Sequence, residues 1–106
     1  AIEQISSTVP KDYQLKQNYP NPFNPNTIIR FDITKVQFTR LCVYDALGKE
    51  VAVLVNEQLT PGTYETEWNA SRVATGVYYY KLTAGDYTDT KKMILIKKKR
   101  KKRPAS

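Results

Sequence analysis

From Thr27 to Thr34 the chain alternates, with Ile29, Phe31 and Ile33 on one side and Ile28, Arg30 and Asp32 on the other. Period two is the signature of a strand with one face buried. Phe38–Tyr44 repeats the pattern with Leu41 and Val43 on one side, and Glu50–Val55 predicts a third strand. Thr63–Trp68 then sets Tyr64, Thr66 and Trp68 against Glu65 and Glu67. Val77–Thr83, rich in aromatic and β-branched residues, is the most strand-prone stretch. A closing strand is predicted over Tyr87–Ile96, joined to it by Gly85-Asp86 as a hairpin. Turn chemistry separates these runs at Asp45-Ala46-Leu47-Gly48 and Pro61-Gly62, and Asn69–Gly76 reads as a loop. Only Val51–Gln58 competes as a helix, and its valines argue against that. Six or seven short strands with frequent turns predict an all-β protein, an antiparallel β-sandwich.

Ahead of the first alternating run stands Asn18-Tyr19-Pro20-Asn21-Pro22-Phe23-Asn24-Pro25-Asn26-Thr27. Each proline fixes its own φ and pushes the preceding residue out of the helical region. The segment is therefore neither helix nor central strand, but a stiff entry that Tyr19 and Phe23 can anchor. Residues 1–12 are polar and unpatterned and read as a linker. Residues 13–97 form the domain, and residues 98–106 a tail.

Charge sharpens that division. The net charge of +7 rests on Lys97-Lys98-Lys99-Arg100-Lys101-Lys102-Arg103; setting these seven aside leaves ten basic against ten acidic residues. A neutral domain thus carries a basic tail. The tail reads as a nucleic-acid arm or localisation signal, as a contact for an anionic membrane surface, or as an appended segment. At 106 residues the chain holds one domain with a modest core. Opening on Ala1 fits a fragment or processed product, and no signal peptide or transmembrane run occurs. Any export signal is then expected upstream in a longer parent, or in this domain itself.

Chemistry is sparse. Histidine is absent, which removes the usual general base, the Ser-His and Cys-His dyads and the commonest zinc ligand. Cys42 is alone, so it forms no internal disulfide, and within an apolar run it reads as packing rather than nucleophile. Glu65 and Glu67 stand roughly 6.5–7 Å apart by strand rise, a separation of interest for glycoside chemistry, but a solvated strand face accounts for them. Asp86 and Asp89 flank a turn without a calcium-loop pattern, Gly48 and Gly62 lack phosphate-loop spacing, and Asn69-Ala70-Ser71 is a short sequon. No catalytic residue, metal or cofactor is expected.

The ordered set of motifs resembles the C-terminal sorting domain of proteins exported by the type IX secretion system of Bacteroidota-like bacteria. The residues that carry the resemblance run from Tyr19-Pro20-Asn21-Pro22-Phe23-Asn24-Pro25 and Thr27–Phe31, through Val43–Val51 with Asp45 and Gly48, to Pro61–Tyr64 and Trp68. Gly76-Val77-Tyr78-Tyr79-Tyr80-Lys81-Leu82 and Lys91-Lys92-Met93-Ile94-Leu95-Ile96 complete it. The set is also similar to the immunoglobulin-like domain of flagellar hook-capping proteins. What the resemblance implies is an immunoglobulin-like sandwich of about seven strands, acting as a non-catalytic secretion and surface-attachment signal. Its expected partners are an upstream cargo domain, the type IX outer-membrane translocon and a sortase-like cysteine peptidase that removes the tag. The expected destination is the cell surface or medium, by way of the periplasm. The expected recognition surface comprises Gly76, Val77, Tyr78, Tyr80, Lys81, Lys91, Lys92, Met93, Ile94, Leu95 and Ile96. An immunoglobulin-like binding or spacer module is the alternative, and binding through the basic tail a second. Two features depart from the family pattern: Thr39 replaces an aliphatic residue, and the chain continues past its last strand.

Overall fold

Eight strands and no helix make up the computed structural model, which describes residues 2–97. They are β1 (Ile2–Ser6), β2 (Gln14–Leu15), β3 (Asn26–Ile33), β4 (Gln37–Asp45), β5 (Glu50–Leu59), β6 (Gly62–Asn69), β7 (Gly76–Ala84) and β8 (Tyr87–Leu95). One antiparallel sheet has the order β1-β6-β3-β2 and the other β5-β4-β7-β8. The chain changes sheets between β3 and β4, between β5 and β6, and again between β6 and β7.

The predicted strand faces of β3, β4 and β6 meet side chains of β7 and β8 between the sheets. Ile29, Phe31 and Ile33 from β3 and Tyr64 and Trp68 from β6 face Leu41 and Val43 from β4, Tyr80 and Leu82 from β7, and Met93 and Leu95 from β8. Each such side chain contributes on the order of 1.5–3 kcal/mol when buried. Phe31 stacks on Tyr64 across the β3–β6 pair at a centroid separation of 5.8 Å. Thr39 is also fully buried, and its hydroxyl donates to the Gln37 carbonyl at 3.2 Å, so the departure from an aliphatic residue leaves no polar group stranded.

Two tyrosines tie strand ends to their loops. Tyr78, near the start of β7, donates to the Ala74 carbonyl at 2.6 Å, and Tyr64 donates to the Thr60 carbonyl at 2.7 Å. The first is the tyrosine corner of immunoglobulin-like sandwiches, here without a disulfide between the sheets. Between β4 and β5, Asp45 holds the turn: its Oδ1 accepts from the Leu47 and Lys49 amides, each at 2.9 Å. Gly48 completes it at φ +84°, a conformation L side chains rarely adopt.

Two expectations need amendment. The linker expected over residues 1–12 contains β1, which pairs with the outer edge of β6 in the register Ile2–Thr66, Glu3–Glu65 and Gln4–Tyr64. Its pairing is mostly main chain to main chain, which leaves little trace in hydrophobic patterning. The third strand also continues to Leu59, because Leu59 returns to the core, like Val55, after the polar Asn56-Glu57-Gln58.

Candidate functional site

The proline segment lies along the outer edge of β8. The Phe23 amide donates to the Ile94 carbonyl and the Ile96 amide to the Phe23 carbonyl, both at 3.0 Å, as in a short parallel pairing. Asn21 Oδ1 accepts from the Ile94 amide at 2.9 Å, and Gln17 Nε2 donates to the Lys92 carbonyl at 2.8 Å. All three prolines of the segment follow cis peptide bonds. The first and last motifs of the chain are therefore one structure.

A buried polar network holds the segment in place. Asn18 Nδ2 donates to Thr27 Oγ1 at 2.9 Å and to the Pro20 carbonyl at 3.1 Å, and Thr27 Oγ1 donates to the same carbonyl at 2.9 Å. From the opposite sheet, Tyr80 joins the chain at Lys16 and Asn18. Burial is the main cause pushing the Tyr80 phenol up to about 12, opposed by its bond from the Asn18 main chain. Beneath the segment Phe23, Trp68 and Tyr78 form an aromatic row, with centroid separations of 5.7 and 5.5 Å. Such contacts contribute about 0.5–1.5 kcal/mol beyond the area they bury.

Strand alternation divides the predicted recognition residues. Tyr78, Tyr80, Met93 and Leu95 point inward and are buried. They shape the surface from below and present nothing to a partner. Lys91 pairs with Tyr80 and sits half-buried at the edge, with Gly76 half-buried at the start of β7. Val77 pairs with Ile94 on the outward side, where Lys81 and Lys92 are exposed. Ile96, just beyond β8, is 45% exposed. Tyr79 belongs to the same face: it pairs with Lys92 on one side and Tyr44 on the other and is 37% exposed. Sequence reasoning passes over it within a run of three tyrosines, although alternation from buried Tyr78 and Tyr80 points it outward.

Of the motif residues, Pro20, Asn21, Pro22 and Asn24 are exposed, Pro25 is half-buried, and Phe23 and Trp68 lie in the core. Pro20, Pro22, Phe23, Asn24 and Ile96 line a shallow, mainly apolar groove of about 220 Å³. Lys97 closes the end of the hairpin, its amide donating to Thr75 Oγ1 at 3.0 Å and its Nζ to the Ser71 carbonyl at 2.6 Å. The site is thus an outward apolar and cationic hairpin face, bordered by a proline-lined groove.

The other candidates hold structural roles. Glu65 pairs with Arg30 at 2.9 Å on the solvent face of β3 and β6. Asp89 accepts from the Thr90 amide at 2.8 Å, and Asn69 Oδ1 accepts from the Ser71 amide at 2.9 Å in the sequon. Cys42 lies between inward Leu41 and Val43, yet it is buried, and that burial raises its thiol pKa. Among the described residues no group of three or more histidine, cysteine, aspartate or glutamate residues is placed to hold a metal. The basic tail, residues 98–106, lies outside the described residues.

Across the described residues, an eight-stranded immunoglobulin-like sandwich with its first motif bonded to its last strand defines an all-β domain. The family model described as the secretion system C-terminal sorting domain matches residues 17–97, and the chain belongs to that family. It is a type IX sorting signal, and such signals direct export to the cell surface or extracellular space. The family is in general non-catalytic. No curated protein and no solved structure matches the chain.

Proposed function

We propose that this domain is the C-terminal address tag of a larger exported protein, read through the outward face of β7 and β8. Val77, Tyr79, Lys81, Lys92, Ile94 and Ile96 make the contact with the outer-membrane translocon, and the proline segment fixes the hairpin edge beside them. The observation that carries this reading is the main-chain bonding of Phe23 to Ile94 and Ile96, which joins the two ends of the family match along one sheet edge. After passage through the periplasm, a sortase-like cysteine peptidase cuts within residues 1–12 and joins the cargo to a cell-surface lipopolysaccharide. Because Ile2–Ser6 is paired, residues 7–12 are the accessible part of that stretch.

The test is an export assay in a bacterium that runs type IX secretion. Residues 1–97 and, separately, 1–106 are fused to a fluorescent reporter with an inner-membrane export signal. Reporter outside the cell only when residues 1–97 are attached supports the reading, and the longer fusion shows whether the basic tail obstructs it. Retention of both folded fusions in the periplasm would favour an envelope-binding or spacer module instead.

A further inference from the structure

The strand that covers β6 is poorly matched to it. Glu3 stands directly opposite Glu65 in the β1–β6 register, and Glu67 lies on the same outward face just beyond the last described pair, Ile2–Thr66. Arg30 of β3 pairs with Glu65 at 2.9 Å, so this stretch of the face sets three carboxylates against one guanidinium. Like charges placed directly opposite each other destabilise a strand pair. Nothing in β1 compensates on the inward side: Ile2 is the one described residue of the strand that packs against the core, and Ile5 is 40% exposed. The register breaks between Gln4 and Ser6. Gln4 Nε2 reaches the Pro61 carbonyl only at 3.4 Å.

The connection after β1 is equally loose. Residues 7–12 form no strand and are mostly exposed, and an open cavity of about 420 Å³ lies between this loop and the sheet, lined by Thr8, Pro10, Lys11, Asp12, Asp32 and Thr63 among others. β6 contrasts with its cover. It is eight residues long, fully paired to β3 on its other side, and buries Tyr64, Thr66 and Trp68. A rigid strand therefore carries a weak cover, and an uncovered edge is a template for another chain.

We propose that β1 is exchangeable and that the β6 edge is a strand-addition site for an extended segment of a partner protein. Charge complementarity specifies the occupant. It carries lysine or arginine opposite Glu65 and Glu67, two residues apart, with a small or apolar residue between them facing the core beside Thr66. Main-chain bonds supply the docking, and the alternate side chains supply the choice of partner. The surface lies on the sheet opposite the β7–β8 hairpin, and the inference does not depend on the export reading.

Two synthetic peptides test it. One has the sequence of residues 1–8; the other differs by Ala1→Lys and Glu3→Lys. Binding is followed by fluorescence anisotropy against the full chain carrying Gln4→Pro, which disfavours β1 pairing. A second full chain carries Ser6→Cys with Thr63→Cys, oxidised to lock β1 in place while Glu65 and Glu67 are kept.

The lysine peptide should bind the Gln4→Pro chain at least tenfold more tightly than the glutamate peptide. That preference should shrink with salt and vanish in Glu65→Gln with Glu67→Gln. The locked chain should bind neither peptide until reduced. Equal binding of the two peptides, no binding to a folded Gln4→Pro chain, or undiminished binding to the locked chain would overturn the proposal, as would a dimer formed through this edge in place of peptide binding. Should Gln4→Pro fail to fold by circular dichroism, Ile2→Ala loosens β1 by a milder route, and the same outcomes decide.

Discussion

The phenolic oxygen of Tyr80 donates to the Lys16 carbonyl and accepts from the Asn18 amide, each at 2.8 Å. One side chain from β7 thereby satisfies both polar groups of the chain where it enters the proline segment. Tyr80→Phe leaves both without that partner in a buried setting, so it should cost about 1–3 kcal/mol. Chemical denaturation at neutral pH measures this as a lowered midpoint; an unchanged midpoint would mean that water replaces the phenol without loss.

The same residue sets a pH dependence. Its folded pKa of about 12 lies above the ordinary tyrosine value of 10, so the fold favours the neutral phenol. That contribution is fully present below pH 10 and disappears as pH rises through 12; its size is about 2–3 kcal/mol. Burial also raises Tyr78 and Tyr87, which act in the same direction. Stability measured from pH 8 to 12 should fall, and Tyr80→Phe should flatten the curve in part.

Trp68 stands between Phe23 and Tyr78 and joins the proline segment to the tyrosine corner. Trp68→Ala should destabilise the domain by about 3–5 kcal/mol. A denaturation midpoint equal to that of the parent would contradict the packing described.

Asp45 accepts two amides of its turn through one oxygen. Asp45→Ala should cost about 1–2 kcal/mol, since both amides face solvent and water can partly replace the carboxylate. Faster hydrogen exchange at Leu47 and Lys49, with the core unaffected, is the expected signature.

The outward and inward halves of the hairpin should separate by assay. Tyr79→Ser with Lys92→Glu changes the outward face of the hairpin, so export should fall at least tenfold while the unfolding free energy stays within about 0.5 kcal/mol of the parent. Leu95→Asn introduces a polar group into the core and should lower both. Normal export of the Tyr79→Ser, Lys92→Glu chain would move the recognition surface elsewhere.

Much of the sandwich is legible in the sequence because burial leaves a period-two trace. Ile29, Phe31 and Ile33, or Tyr64, Thr66 and Trp68, declare themselves as faces by alternation alone. β1 leaves no such trace, since Glu3 and Gln4 contribute main-chain bonds and little apolar area. The contact of Phe23 with Leu95 spans most of the chain and is an isolated bridge, so no local pattern announces it. In the sequence the proposed recognition surface reads as a contiguous stretch, whereas a strand divides its residues between two faces. Tyr78, Tyr80, Met93 and Leu95 go to the core for that reason, and Tyr79 emerges on the surface in their place.

The joining of Gln17, Asn21 and Phe23 to Lys92, Ile94 and Ile96 bears on when the address exists at all. Until the final strand has left the ribosome, the opening motif has nothing to lie against. A chain that stops short of β8 lacks this assembled edge, however well its earlier strands fold. A fusion ending at residue 86 should accordingly stay inside the cell. Built from both its ends, the signal is complete only in a chain that extends through β8.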